Sequence, residues 1–153
     1  MTRPRSAPPL EAPTLEAALG AVRARGLRVS AARRLVLEAL FLAGEPLTVD
    51  QIADGLGGRL PASDVASVYR NLETLEDLGL VRHFHAGHGP GLYDLAGAGR
   101  REYLVCERCH ARLAVDPHSL DDARDLIRER FGWEASFAHF PVAGLCPDCR
   151  RGS

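Results

Sequence analysis

The stretch "DVASVYRNLETLEDLGLVRHFHA", residues 64–86, decides the fold because the spacing of its apolar residues changes part-way along it. The first apolar residues are three or four positions apart, which places them on one buried face of a helix: Val65, Val68, Leu72 and Leu75. Beyond Gly79 the segments "LVRHFHA" and "GLYDLA" are typical of strands, and the glycine-rich "GHGPG" joins them. The stretch therefore predicts a helix followed by a β-hairpin.

Three shorter helical segments precede this stretch. Leu15–Arg25 is the first, Ser30 can cap a second that runs to about Leu42, and Thr48 can cap a third. We expect Ser63 to cap the fourth helix. Short helices followed by a hairpin are the order of a winged helix-turn-helix, which we predict over residues 14–95.

A second unit is expected over residues 102–153, beyond a small-residue hinge at residues 96–101. It contains two strand-like segments, "EYLVC" and "ARLAV", and a last strand within "WEASFAHFPVAGLC". Between them, "SLDDARDLIRERFG" predicts a helix whose inward residues are Leu120, Ala123, Ile127 and Phe131. The predicted fold class is α+β, a winged helix followed by a small α/β dimerisation domain.

The composition is that of a globular protein, with 46% hydrophobic and 25% charged residues in 153. No apolar run is long enough to span a membrane. Residues 1–13 lack the apolar core of a signal peptide, so we expect a disordered tail and a cytoplasmic protein. The net charge of −1 argues against a non-specific polyanion binder, although residues 1–34 hold seven arginines against two glutamates.

The four cysteines form two C-x-x-C pairs, Cys106 with Cys109 and Cys146 with Cys149. Two such pairs complete a tetrahedral thiolate shell, so the spacing predicts one structural Zn²⁺. An iron centre like that of rubredoxin and a redox dithiol are the alternatives. Neither pair has the Gly- and Pro-rich loop expected of an electron-transfer site, and four thiolates on one ion leave no free nucleophile.

Histidines supply a second candidate set. His83 and His85 are two residues apart on a predicted strand, so they project from the same face and can share one ion. His139, between Phe137 and Phe140, needs a polar partner and can be a third ligand. Solvated wing histidines and a buried, hydrogen-bonded His139 are the alternatives. Two carboxylates can add oxygen ligands: Glu102 and Asp121.

The outer face of the fourth helix carries groups that reach phosphates and base edges, among them Ser67, Arg70 and Thr74. Such a face is usually only solvated. Its position directly before a hairpin, with a basic segment earlier in the chain, favours DNA contact.

Taken in order, "SVYRNLETLEDLGLV", "YLVCERC" and "GLCPDC" resemble the ferric uptake regulator family of metal-dependent bacterial repressors, over about residues 14–149. The resemblance implies a homodimer that fits a palindromic operator when metal closes the angle between its domains. It also implies the structural zinc at the four cysteines. The DNA contacts that it implies are Arg28, Ser30, Arg33, Ser67, Tyr69 and Arg70.

The chain departs from this family before the first C-x-x-C. The family has a histidine-rich stretch there, whereas this sequence reads "GRREYLVC" and retains only the acid Glu102. One of the family's two regulatory positions is therefore expected to be absent. The wing motif "HFHAGHGPGLYDL" resembles the nickel-responsive branch, which implies His83, His85 and His139 as ligands, with His88 left in the turn.

We therefore predict a homodimeric metal-sensing regulator that binds double-stranded operator DNA, in the simplest case a repressor with a divalent metal as corepressor. The regulatory ion is Zn²⁺, Ni²⁺ or Fe²⁺. No small-molecule substrate and no membrane partner are expected. Two alternatives stay open at this point: a metallohydrolase using the three histidines, for which no nucleophile or general base is evident, and a zinc-ribbon module that binds protein.

Overall fold

The computed structural model describes residues 10–87, 89–97 and 101–152. The chain divides into an N-terminal unit, residues 1–83 and 91–98, and a C-terminal unit, residues 84–90 and 99–153. The division crosses the β-hairpin, whose tip belongs to the C-terminal unit. The predicted boundaries at 14–95 and 102–153 stay predictions. Residues 98–100 of the predicted hinge, residues 1–9 of the predicted tail, and His88 lie outside the described residues.

The described part of the N-terminal unit contains five helical segments: α1 Leu15–Ala24, α2 Ala31–Ala43, α3 Val49–Ala53, α4 Gly55–Gly58 and α5 Val65–Asp77. As predicted, Ser30 and Thr48 cap α2 and α3 by accepting a backbone N–H. The predicted cap of α5 is wrong. Asp64, not Ser63, accepts the N–H of Ser67 at 2.9 Å, and its carboxylate also suits the positive end of the helix dipole.

The core of the N-terminal unit forms where α2 and α5 pack together with α1 and α3. Val68, Leu72 and Leu75 of the predicted stripe are buried, as are Leu37 and Leu40 of α2. Val65, predicted to share this stripe, is exposed in the first turn of α5. The buried stripe fixes which face of α5 remains in solvent.

Strands β1, Val81–His85, and β2, Gly91–Leu95, form the predicted hairpin. Tyr93 of β2 also exchanges two backbone hydrogen bonds with Leu47, at N···O distances of 2.7 and 2.8 Å. The hairpin is therefore joined to the loop before α3. Together these elements confirm the winged-helix architecture of the N-terminal unit.

The C-terminal unit is built on three strands in the order β4-β3-β5: β3 Glu102–Cys106, β4 Arg112–Val115 and β5 Val142–Gly144. Strand β3 pairs antiparallel with β4 and parallel with β5. A 3-10 turn at Pro117–Leu120 leads into α6, Asp121–Phe131, and a short helix α7, Pro147–Arg151, follows the sheet. The α+β fold class is confirmed.

Three details of the C-terminal unit differ from the sequence prediction. Phe131, predicted to face inward, is 71% exposed, and α6 buries none of its residues in the single chain. The last strand is only three residues long, so His139 precedes it. Helix α7, which begins at a proline after Cys146, was not predicted. The described residues contain no helix long and apolar enough to cross a membrane.

Leu72→Ala should destabilise the N-terminal unit by about 2–5 kcal/mol, because Leu72 is fully buried and its truncation leaves a cavity. Urea unfolding followed by far-UV circular dichroism measures the change. Leu42→Ala is the matched control, because Leu42 lies exposed on α2. Equal, small effects of the two substitutions would contradict this account of the core.

Candidate metal centres and DNA-binding helix

The four cysteines meet at one end of the C-terminal unit. Cys106 is the last residue of β3, and Cys146 is the residue before α7, so the strand end and the start of the helix bring the two C-x-x-C pairs together. Their four Sγ atoms lie within 4.8 Å of one another. This spacing fits a single tetrahedral ion with no open coordination position, which is a structural and not a catalytic arrangement.

Backbone N–H groups stabilise a thiolate in this cluster, which is the form of cysteine that binds metal. The N–H groups of Cys109 and Cys146 donate to Cys106 Sγ at 3.5 and 3.4 Å. These hydrogen bonds lower the pKa of the Cys106 thiol to about 6. The hydrogen bond of the Cys149 thiol to the side chain of Cys146 instead raises the pKa of Cys149. Four thiols at this distance do not all ionise at neutral pH unless a cation offsets their repulsion.

His85 and His139 meet within the C-terminal unit. The backbone N–H of His85 donates to the carbonyl oxygen of His139 at 3.0 Å. Their rings are in edge-to-face contact with centroids 5.2 Å apart, and both offer a ring nitrogen within 4.8 Å of the other. The ring of Phe140 packs against His139, with centroids 4.6 Å apart. His139 is thus held by a strand-like hydrogen bond although it lies outside a strand.

His83 lies on the same strand as His85 and is the last residue of the first segment of the N-terminal unit. Its Nδ1 contacts the carboxylate of Glu76 in the last turn of α5. Its ring lies 5.7 Å from that of Tyr93, centroid to centroid. The sequence analysis did not predict the contact between Glu76 and His83. The two residues are seven positions apart and lie on different elements, so no helical or strand periodicity relates them.

The two predicted carboxylate ligands lie elsewhere in the C-terminal unit. Glu102 is buried and contacts the guanidinium of Arg124, and Asp121 accepts from the same group at 2.8 Å. Asp121 also contacts His118, whose hydrogen bond lowers the pKa of the Asp121 carboxyl. Among the described residues, neither acid shares a group of potential metal ligands with His139.

Helix α5 presents Tyr69 and Arg70 to solvent, with Tyr69 53% exposed. Ser67, one turn earlier, is half-buried. Asn71 is buried beside them, donates to the Ser67 carbonyl at 2.9 Å and accepts from Arg33 Nε at 3.2 Å. Tyr69 and Arg70 are therefore free to reach a ligand, while Asn71 has a structural role.

The predicted contacts on and before α2 are tied to this same network. Arg33 Nη1 donates to the carbonyl oxygen of Arg28 at 2.6 Å, and Ser30 Oγ accepts the N–H of Arg33 at 3.2 Å. Arg28 is exposed. Hence Arg33 links the start of α2 to α5, and the residues predicted to contact DNA lie in one unit.

A sequence profile of the ferric uptake regulator family matches residues 24–140, which is most of the chain and includes α5, the hairpin, the first C-x-x-C pair and His139. The chain belongs to this family. The peroxide operon regulator of Bacillus subtilis is 27% identical to it over 137 residues, which are 90% of this chain and 94% of that protein. The peroxide-responsive repressor PerR of Staphylococcus saprophyticus is 25% identical over 136 residues, covering 89% and 91% of the two chains.

Solved structures support the fold. The ferric uptake regulator of Helicobacter pylori superposes with a TM-score of 0.69 at 18% identity, covering 90% of this chain and 94% of that one. The Vibrio cholerae ferric uptake regulator gives 0.66 at 21% identity, covering 84% and 98%. Family membership identifies the chain as a transcription regulator, which decides against the metallohydrolase and the zinc-ribbon module.

In the metal-free, reduced protein, one thiol should ionise near pH 6, because the folded state lowers the pKa of Cys106 to about 6. The thiolate is present above that pH and lost below it. Absorbance near 240 nm against pH measures the step, and Cys106→Ser should remove it, whereas Glu107→Gln should leave it in place. Ionisation of all four thiols together above pH 8 would contradict the assigned geometry.

Proposed function

We propose that this protein is a homodimeric transcriptional repressor that binds a palindromic operator when a divalent metal occupies a site formed by His83, His85 and His139. The observation that carries the proposal is the pairing of His85, on the wing strand, with His139, before β5. One ion bound to both residues ties the hairpin to the metal-binding half of the chain.

His83 is the proposed third ligand because residues i and i+2 of a strand lie on one face. Neutral imidazole nitrogen suits Zn²⁺, Ni²⁺ and Fe²⁺ alike. The proposed ligand set contains no cysteine, on which ground we favour Zn²⁺ or Ni²⁺ over Fe²⁺. The names of the relatives refer to peroxide and to ferric uptake, and do not choose among these ions for this chain.

The metal acts by selecting one arrangement of the DNA-binding half. An ion that binds the closed arrangement more tightly than the open one shifts the population by that difference in affinity. A shift from about 1% to about 99% closed needs an affinity ratio of roughly 10⁴. Three ligands on two parts of the chain supply such a difference, because only the closed arrangement offers all three.

We also propose Zn²⁺ at the four cysteines. A closed thiolate shell of four sulfurs is the usual structural zinc site, and it leaves no position for a substrate. In this protein that ion joins the end of β3 to the start of α7. The resulting domain is the half of the molecule proposed to dimerise.

The dimer face is proposed to be the apolar surface of the C-terminal unit. Large side chains there are exposed in the single chain: Leu113, Leu126, Phe131, Trp133, Phe140 and Leu145. Trp133 is 74% exposed, which is unusual for a residue of this size. A second copy that covers this surface also explains why the apolar residues of α6 are not buried.

Tyr69 and Arg70 are the proposed operator contacts of α5, with Ser67 beside them. Arg28, Ser30 and Arg33 are proposed to hold the phosphate backbone beside α2. The sequence predicted Glu102 and Asp121 as additional oxygen ligands. Both contact Arg124 in the structure, so the proposed regulatory site relies on the three histidines.

Retardation of a palindromic, AT-rich duplex by the protein, with and without added Zn²⁺, Ni²⁺ or Fe²⁺, tests the function. The proposal expects binding of one dimer per palindrome only when metal is added. A dimer that binds no DNA with any of these ions overturns the proposed function.

The double substitution His83→Ala, His85→Ala should abolish the metal-dependent gain in DNA affinity and leave the cysteine-bound metal and the dimer intact. Metal content, light scattering and gel retardation measure the three properties. Cys106→Ser is the converse control and should lose cysteine-bound metal and dimer together. Unchanged DNA binding in the double variant refutes the sensing role of the wing histidines.

Arg70→Ala should weaken operator binding by about 1–3 kcal/mol, because a base or phosphate contact of that size is removed. Fluorescence anisotropy at several salt concentrations measures both the affinity and its salt slope. Arg130→Ala, an exposed arginine at the end of α6, is the control and should leave both unchanged. Equal losses in the two variants would show a non-specific charge effect only.

A further inference from the structure

Arg124 on α6 places its guanidinium between two acids of the C-terminal unit. Nη2 donates to Glu102 Oε1 on β3, and Nη1 donates to Asp121 Oδ1 at 2.8 Å. Nη1 also donates to the carbonyl oxygen of Pro117 at 2.9 Å. The face of the Phe137 ring lies 5.3 Å from the guanidinium carbon. Three separate segments of the unit thus converge on one cation.

Glu102 is the member of this group that most needs a positive charge. It is only 4% exposed, and its Oε2 has no hydrogen-bond partner among the described residues. The residue lines a cavity that Asp121, Arg124 and Phe137 also line. A carboxylate buried in this way is stable in its ionised form only beside a cation.

We infer that Arg124 is an internal cation that occupies a latent divalent-metal site formed by Glu102 and Asp121. The guanidinium contacts both acids, offsets one of their two negative charges and occupies the space between them. The native pair therefore binds no metal, and removal of the guanidinium exposes a site for one hard divalent ion. Three features form that site: the free Oε2 of Glu102, a carboxylate on the first turn of α6, and the cavity between them. Oxygen ligands of this kind suit Mn²⁺.

This arrangement has a consequence for regulation. Arg124 joins β3, the 3-10 turn and α6 at every metal concentration, because this cation is a side chain of the protein and not a bound ion. The acid pair is then a constant part of the C-terminal unit. A response to metal has to come from other ligands, and this conclusion does not depend on which histidines supply them.

The test uses full-length protein whose cysteine site is loaded with Zn²⁺. The probe is Mn²⁺, and electron paramagnetic resonance measures the number of Mn²⁺ ions bound per chain. Arg124→Ala should bind one Mn²⁺ per chain more than the unsubstituted protein. Arg124→Ala with Glu102→Gln should lose that additional ion. Mn²⁺ should also raise the melting temperature of Arg124→Ala and leave that of the unsubstituted protein unchanged.

Arg128→Ala is the matched control. Arg128 lies one turn further along α6 and pairs with two exposed acids, Asp125 and Glu134, so its removal should create no Mn²⁺ site. Arg124→Gln keeps most of the side-chain volume and a hydrogen-bond donor for Glu102. It preserves the fold if the alanine variant does not fold, and it should also bind the additional ion.

Two results overturn the inference. One is a folded Arg124→Ala or Arg124→Gln protein that binds no Mn²⁺ beyond the unsubstituted chain. The other is loss of a bound Mn²⁺ when Glu102→Gln is made with Arg124 in place, which would show that the guanidinium does not exclude the metal.

Discussion

Four cysteine sulfurs crowded within 4.8 Å of one another are the constraint on which the C-terminal unit depends. The cluster gathers the end of β3 and the beginning of α7, and only three residues of β5 link the second cysteine pair to the sheet. Sulfurs at this spacing repel one another once ionised, so a cluster of four thiolates requires a cation. The proposed dimer face belongs to the same unit, so on our proposal dimerisation depends on metal loading.

The C-terminal unit contains two clusters of acidic groups, the four cysteine thiols and the carboxylates of Glu102 and Asp121, and their negative charge is balanced in different ways. Four ionised cysteines need a metal ion, whereas Glu102 and Asp121 share the single positive charge of the Arg124 guanidinium. His85 and His139, which we propose as ligands, carry no carboxylate or thiolate, so their half-buried contact does not bring two negative groups together. On our proposal, a site built from such ligands can fill and empty with metal supply.

The spacing of residue types in the sequence predicted the features that are set by residues close together in the chain. The buried face of α5 followed from residues three and four apart, and the pair of C-x-x-C motifs followed from spacing alone. The α5 cap was misplaced by one residue because serine and aspartate are nearly equivalent caps and both stand there. His139 was predicted on a strand because its neighbours are apolar, yet Phe140 is exposed and β5 begins only at Val142.

Contacts between distant residues could not be predicted in this way. Glu102 and Arg124 are 22 residues apart on different elements, and no single-sequence pattern joins them. The inward face assigned to α6 fails for a related reason, since its apolar residues are left uncovered by one chain and a partner surface leaves no mark on periodicity. A helix whose apolar residues stay unburied in the single chain is therefore informative in itself. It indicates that the unit of folding and the unit of function differ, and that metal-dependent DNA binding has to be measured on the dimer.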